Sequence, residues 1–324
     1  MKILKFIPLI LLMCYSSCSS DDSNDVQLPQ ATPCDIQSLQ FTQVLDFNSA
    51  GNCINNGSNG ATMDTTNKII YFVNRGATGQ PQELIRINLN NNSVSTHSGG
   101  PSDMCTTRPL FFNNNVFVAG VSRTSNYQTS GTFSGAVAYP SIIGNWFDIA
   151  VNNSNNQLYF CGVRTNLTDM VGTGDIKTYN SSSNTFATIG NIGNPITRAA
   201  IEYHGGHLYI FGGYADDLLQ NPLGQMYKYN LSNNTTNTIS LPNGGVNSGY
   251  LCSSGSCLFG SGLQQGSTTN ITFYKYNTSS STITSLTHNL SGQILGMTSS
   301  DNKIYVILKA AATGQYSLFM ANLI

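Results

Sequence analysis

Residues 199–213 read Ala-Ala-Ile-Glu-Tyr-His-Gly-Gly-His-Leu-Tyr-Ile-Phe-Gly-Gly, and residues 225–241 read Gln-Met-Tyr-Lys-Tyr-Asn-Leu-Ser-Asn-Asn-Thr-Thr-Asn-Thr-Ile-Ser-Leu. The apolar and aromatic runs predict four strands: Ala199 to Tyr203, Leu208 to Phe211, Gln225 to Tyr229 and Thr236 to Leu241. Gly205-Gly206 and Asn233-Asn234 supply the two tight turns, because these residues accept left-handed backbone at low cost. The polar stretch 214–224 is the one long connection. A unit of four strands with alternating short and long connections has the makings of a propeller blade.

The same unit recurs in both directions. Apolar strand centres fall at Tyr71, Phe117, Tyr159, Tyr209, Leu258 and Tyr305, with gaps of 46, 42, 50, 49 and 47 residues. That period is the length of a four-stranded blade. Asn closes a strand at Asn88, Asn180, Asn230, Asn277 and Asn322 in phase with those centres, and Tyr139-Pro140 is expected to take the missing place. The last unit shows no fourth strand after Tyr316 to Ile324. Leu39 to Phe47, with apolar residues at alternate positions, is expected to serve as the outer strand of that blade, so that no sheet edge is left open. The fold expected is all-β: a six-bladed β-propeller with four-stranded blades, closed by the N-terminal strand joining the C-terminal blade.

The quoted stretch, with Tyr203-His204-Gly205-Gly206 running into Phe211-Gly212-Gly213 and then Tyr227 and Tyr229, resembles a kelch repeat. The second double Gly is missing from the other units, and the Trp usual in the fourth strand is absent. The resemblance implies a kelch-like propeller over about residues 39–324 and carries no particular activity with it.

Composition narrows the class. Charged residues make up 9% of the chain, against about 25% in typical globular proteins. Glu occurs only at Glu83 and Glu202, and the net charge is −1. Nothing in that balance calls for nucleic acid or an anionic membrane face as a partner. Met1-Lys2 with Lys5, the apolar run Phe6 to Met13, and Tyr15-Ser16-Ser17-Cys18 resemble a bacterial lipoprotein signal. The expected domains are a signal peptide at 1–17, a flexible tether at 18–33 beginning with lipidated Cys18, and the propeller at 34–324. Ser19-Ser20-Asp21-Asp22 resembles an acidic signal for the outer face of an outer membrane. The expected location is therefore the outer membrane, lipid-anchored and displayed at the cell surface, with the N-terminal lipid as the only membrane contact.

Six cysteines follow Cys18, an even number that favours disulfides in an exported chain. Cys252 and Cys257 flank Ser-Ser-Gly-Ser at a hairpin tip and are the expected pair. Cys34–Cys53 would tie the tether to the first blade, leaving Cys105 and Cys161. No spacing of Cys and His suits a metal, and no cofactor is expected.

Connectivity sorts the loops. Second-to-third-strand loops and blade connections share one face, on which the long loops 122–133, 164–174, 214–224 and 263–270 are expected. The short Asn/Ser turns share the other. Five of the six Arg fall toward the long-loop face. Arg108 and Arg198 begin inner strands and Arg164 follows a second strand, so all three are candidate donors to an anionic group. Trp146 and Tyr214 are candidate stacking surfaces. The other reading is that these Arg satisfy loop carbonyls or pair with Asp such as Asp148, and that Trp146 is an inter-blade wedge.

The sialidase Asp-box turn is absent, as is the Tyr/Tyr/His/His set of a kelch-type copper oxidase. Asp148 and Glu202 lie in neighbouring blades without surroundings that mark them as a glycosidase pair. The reading favoured is non-catalytic binding of a glycan, peptide or protein partner by the long-loop face. The alternatives are a carbohydrate-active hydrolase or lyase with its site at the channel mouth, and a structural subunit of a cell-envelope assembly.

Overall fold

The computed structural model describes residues 32–49, 60–75, 82–100, 108–120, 123–139, 148–163, 172–215, 221–265, 267, 270–310 and 312–324. Cys18, Cys53, Cys105, Trp146 and Arg164 lie outside the described residues. Six sheets form six blades, with inner strands Ala61–Asp64, Pro109–Phe112, Asp148–Asn152, Ala200–His204, Val246–Ser254 and Gln293–Ser300. The blade read from residues 199–241 has strands Ala200–His204, His207–Phe211, Gln225–Asn230 and Thr235–Ser240.

The apolar runs that gave the repeat are the second strands of the blades. Each blade stacks face to face on its neighbours, so a second strand is buried on both faces and needs no polar alternation. Leu208, Tyr209, Ile210 and Phe211 are all at most 1% exposed. The outer strands, reached by water, alternate or turn polar throughout. The core is consequently split into six apolar clusters, one in each gap between neighbouring blades. The cluster between the sixth and first blades, with Leu295, Tyr305, Ile70 and Phe72, closes the ring.

The Asn that ends the third strands makes the turn. Asn180 Oδ1 accepts from the amides of Ser182 and Ser183, Asn230 Oδ1 from Ser232, and Asn277 Oδ1 from Ser279 and Ser280. This side-chain cap replaces a backbone turn bond. Tyr139 follows the fourth strand of the second blade and does not take that place, and Pro140 lies outside the described residues. The third strand there is Arg123–Gln128, ended by a turn at Thr129-Ser130-Gly131, and the fourth is Phe133–Ala138. Of the expected loop 122–133, the described residues 123–133 are therefore strand and short turn, not a long loop. Its composition, Arg-Thr-Ser-Asn-Tyr-Gln, hides the strand, yet Thr124, Ser125 and Tyr127 are at most 2% exposed.

Thr42–Phe47 pairs antiparallel with Tyr316–Asn322 as the outer strand of the sixth blade. The segment ahead of it does more than expected. Ser38–Leu39 adds to the fifth blade, parallel to the outer strand Thr282–His288. The chain thus straps two blades together. Asn289 imitates a strand between them: its Oδ1 accepts from Phe41 N at 2.8 Å and its Nδ2 donates to Phe41 O at 2.9 Å. Lys275, 6% exposed, donates to the carbonyls of Cys34 and Ile36 at 2.7 and 2.6 Å.

The expected Cys252–Cys257 bridge is not formed. Cys257 bonds Cys34, with a Cα separation of 5.4 Å, and Cys161 and Cys252 are free and buried. Strand register explains the difference. Ser254 sits opposite Cys257 and Phe259 opposite Cys252, so the two cysteines are offset along the hairpin. The proposed Cys34–Cys53 link is likewise replaced. The bridge closes a separation of 223 residues, and Cys34→Ser should cost about 2–4 kcal/mol of stability. Non-reducing peptide mapping should return Cys34 linked to Cys257. Burial pushes the Cys161 and Cys252 thiols up to about 12, so both should resist alkylation until the protein unfolds. A Cys252–Cys257 peptide would overturn this pairing.

Candidate functional site at the channel mouth

Inner-strand residues line the centre of the ring, polar ones such as Thr62, Ser253 and Ser299 beside apolar Met63, Leu110 and Met297. Arg108, at the start of the second blade's inner strand, crosses that centre. Its Nη1 donates to Leu251 O at 2.7 Å, and its Nη2 donates to Ile149 O at 3.2 Å, to Ile201 O, and to Glu202 Oε2 at 3.0 Å. Asp148 Oδ2 lies 3.6 Å from Nε and accepts the Ile201 amide at 2.9 Å. One guanidinium therefore ties the second blade to the third, fourth and fifth. On its near side, a Cβ on Gly60 would collide with Arg108 Cβ, so the first blade's entry packs directly against it.

The network continues around the axis. Ser253 Oγ donates to Glu202 Oε1 at 3.1 Å, Ser299 Oγ to Ser253 O at 2.6 Å, and Phe111 N to Thr62 Oγ1 at 3.0 Å. Burial opposes the charge on Arg108, but Asp148 and Glu202 outweigh it and hold the guanidinium pKa above its ordinary value. Burial raises Asp148 above the usual carboxylate range, and Arg108 offsets part of that rise.

Above this floor lies a cavity of about 520 Å³ with walls from all six inner strands. Thr65, Asn153 and Ser154 stand at its rim, all in turns between first and second strands. The cavity therefore opens on the face of the short turns between first and second strands. Phe111 and Tyr203 form part of its wall. Each is held flat against a neighbouring blade's ring: Phe111 on Tyr71 and Tyr203 on Tyr159, both at 6.0 Å and 6°.

The candidate residues named from sequence do not assemble as one described group. Arg108 is an internal clasp, so the alternative reading of carbonyl and Asp148 partners describes it. Arg198 and Tyr214 do come together on the long-loop side of the fourth blade. Arg198 takes left-handed backbone at φ 58°, beside a two-way backbone bridge between Thr197 and Tyr214 at 2.9 Å. Burial lowers the Arg198 pKa, with Tyr214 opposing. Tyr214 is 6% exposed, so its ring is part of the packing and not an open stacking platform. Among the described residues no three His, Cys, Asp or Glu side chains cluster as metal ligands would.

Sequence reasoning missed the cavity. A signal was present in the inner strands, whose later positions read Thr-Met-Asp at 62–64, Cys-Ser-Ser at 252–254 and Thr-Ser-Ser at 298–300. Small polar residues at one end of several inner strands mark a wet channel mouth.

Residues 195–235 match the Kelch motif. No curated protein matches the chain. That motif in the fourth blade, within a ring of six blades built on four strands each, with Ser38–Leu39 added to the fifth, makes the chain a kelch-like β-propeller.

Proposed function

We propose that the protein is an exported, lipid-anchored propeller that binds an extracellular glycan, peptide or protein partner without chemically altering it. One observation carries the binding reading: the channel's charged groups are spent on one another. Arg108 takes Glu202 and Asp148 together with three blade carbonyls. A hydrolase of the two-carboxylate type needs one acid and one base free at the substrate. Asp148 is buried beneath the cavity with its Oδ2 bonded to a backbone amide, and Glu202 is bound by Arg108 and Ser253. What remains toward solvent is a rigid, shaped, polar recess suited to recognition.

The leader-like N-terminus and the Cys34–Cys257 bridge support export, since such bridges persist in oxidising compartments. Expressed in a Gram-negative host, the protein should fractionate with membranes and carry acyl mass on Cys18, and Cys18→Ala should abolish both. Unmodified Cys18 with unchanged fractionation would overturn the anchoring. Incubated with glycan and peptide arrays, the protein should retain ligands whose masses are unchanged on recovery. Cleaved ligands would favour the hydrolase.

A further inference from the structure

The binding reading leaves open where the ligand sits and what it is, and the inference drawn here rests on that reading. We propose that the short-turn mouth of the channel is the binding site and that its ligand is a neutral saccharide unit.

The charge of the site excludes anions. Among the described residues lining the cavity only Arg108 and Glu202 are charged, and they face each other at 3.0 Å. No cation is left for a phosphate or carboxylate, and Glu202 would repel either. The other polar side chains of the lining carry hydroxyls and amides, among them Thr62, Thr65, Asn153, Ser154, Thr298 and Ser299. Such groups donate and accept, which is what a ring of sugar hydroxyls requires.

A saccharide also presents flat C–H faces, and these pack on aromatic surfaces. Phe111 and Tyr203 provide two such surfaces, each fixed by a parallel ring behind it so that little side-chain freedom is lost on binding. The volume of about 520 Å³ falls within the range of small-ligand sites. The floor is rigid, because Arg108 joins it to three further blades. The recess is thus preorganised for a compact neutral guest. An extended peptide, with its charged termini and side chains, matches this lining less well.

The test uses the full-length chain on arrays of neutral and acidic oligosaccharides and of peptides, followed by titration of a neutral oligosaccharide that binds. Tyr203→Ala should weaken that oligosaccharide about tenfold, and Asn153→Ala, an exposed rim change without a folding role, about three- to fivefold. Arg198→Ala, on the opposite face, should leave affinity unchanged. Raising NaCl from about 0.05 to about 0.5 M should leave it unchanged as well, since no ion pair is involved. Thermal melts accompany each variant, so that a Tyr203→Ala protein that fails to fold leaves Asn153→Ala to decide.

Neutral-saccharide binding insensitive to both cavity variants, or lost only with Arg198→Ala, would overturn this site and leave the binding reading standing. Binding confined to acidic glycans or to peptides would overturn the ligand class. A folded protein that binds nothing on any array would overturn both readings.

Discussion

Arg108→Ala is expected to destabilise the propeller by about 3–5 kcal/mol, the cost of leaving buried carboxylates without their counter-ion. The side chain occupies the axis, where Asp148 and Glu202 lie at 3.6 and 3.0 Å. Three carbonyls from the third, fourth and fifth blades would lose their donor together. Arg108→Lys should recover only part of the loss, because an ammonium cannot fork across that many acceptors. The deficit should depend on pH. Without Arg108 the pKa of Asp148, already raised by burial, should rise further, so that the folded state holds the proton more tightly than the unfolded chain. The Ala variant should therefore be closest to the parent at about pH 4 and fall behind as pH rises through the raised Asp148 pKa. Thermal melts across that range check both size and sign. A variant that melts with the parent at neutral pH would show that the clasp is not needed for closure.

Deleting residues 36–47 should have a still larger effect. The segment buries Leu39, Phe41 and Phe47, each at most 5% exposed, worth about 5–9 kcal/mol together. That is comparable with the whole stability of a typical domain. The deletion strips the sixth blade of its outer strand, exposes the edge of Tyr316–Asn322, and removes the Ile36 carbonyl that helps to hold the buried Lys275. An open apolar edge invites pairing between chains. Aggregation on expression, or loss of the cooperative melt, is the expected outcome. A soluble protein with an unchanged melting temperature would remove the strap from the account of stability.

Most of the architecture was legible because it is repetitive. The second strand of a blade is buried on both faces whatever blade it belongs to, so its apolar run recurs in every unit, and the Asn that caps the following hairpin keeps time with it. The closing strand at 42–47 was readable for the same reason: an alternating strand stands at one end and a strand is missing at the other. The second blade misled where Arg123–Gln128 buries Thr124 and Ser125 in a polar stretch that imitates a loop.

The site was another matter. Sequence placed Arg108 and Arg198 at the heads of inner strands, but only the closed ring decides that Arg108 meets Asp148 and Glu202 while Arg198 does not. Those partners come from different blades, 40 and 94 residues along the chain. Their meeting depends on the strands converging at one axis, which no local pattern encodes. The disulfide shows the same division. The hairpin at 246–264 could be read from its apolar residues, whereas its register sets Cys252 and Cys257 apart and lets the strap deliver Cys34 instead. Periodic burial is a property of each blade and is written in each repeat. Contacts across the axis arise once, in the assembled ring, because only ring closure brings inner-strand residues of separate blades within hydrogen-bonding distance.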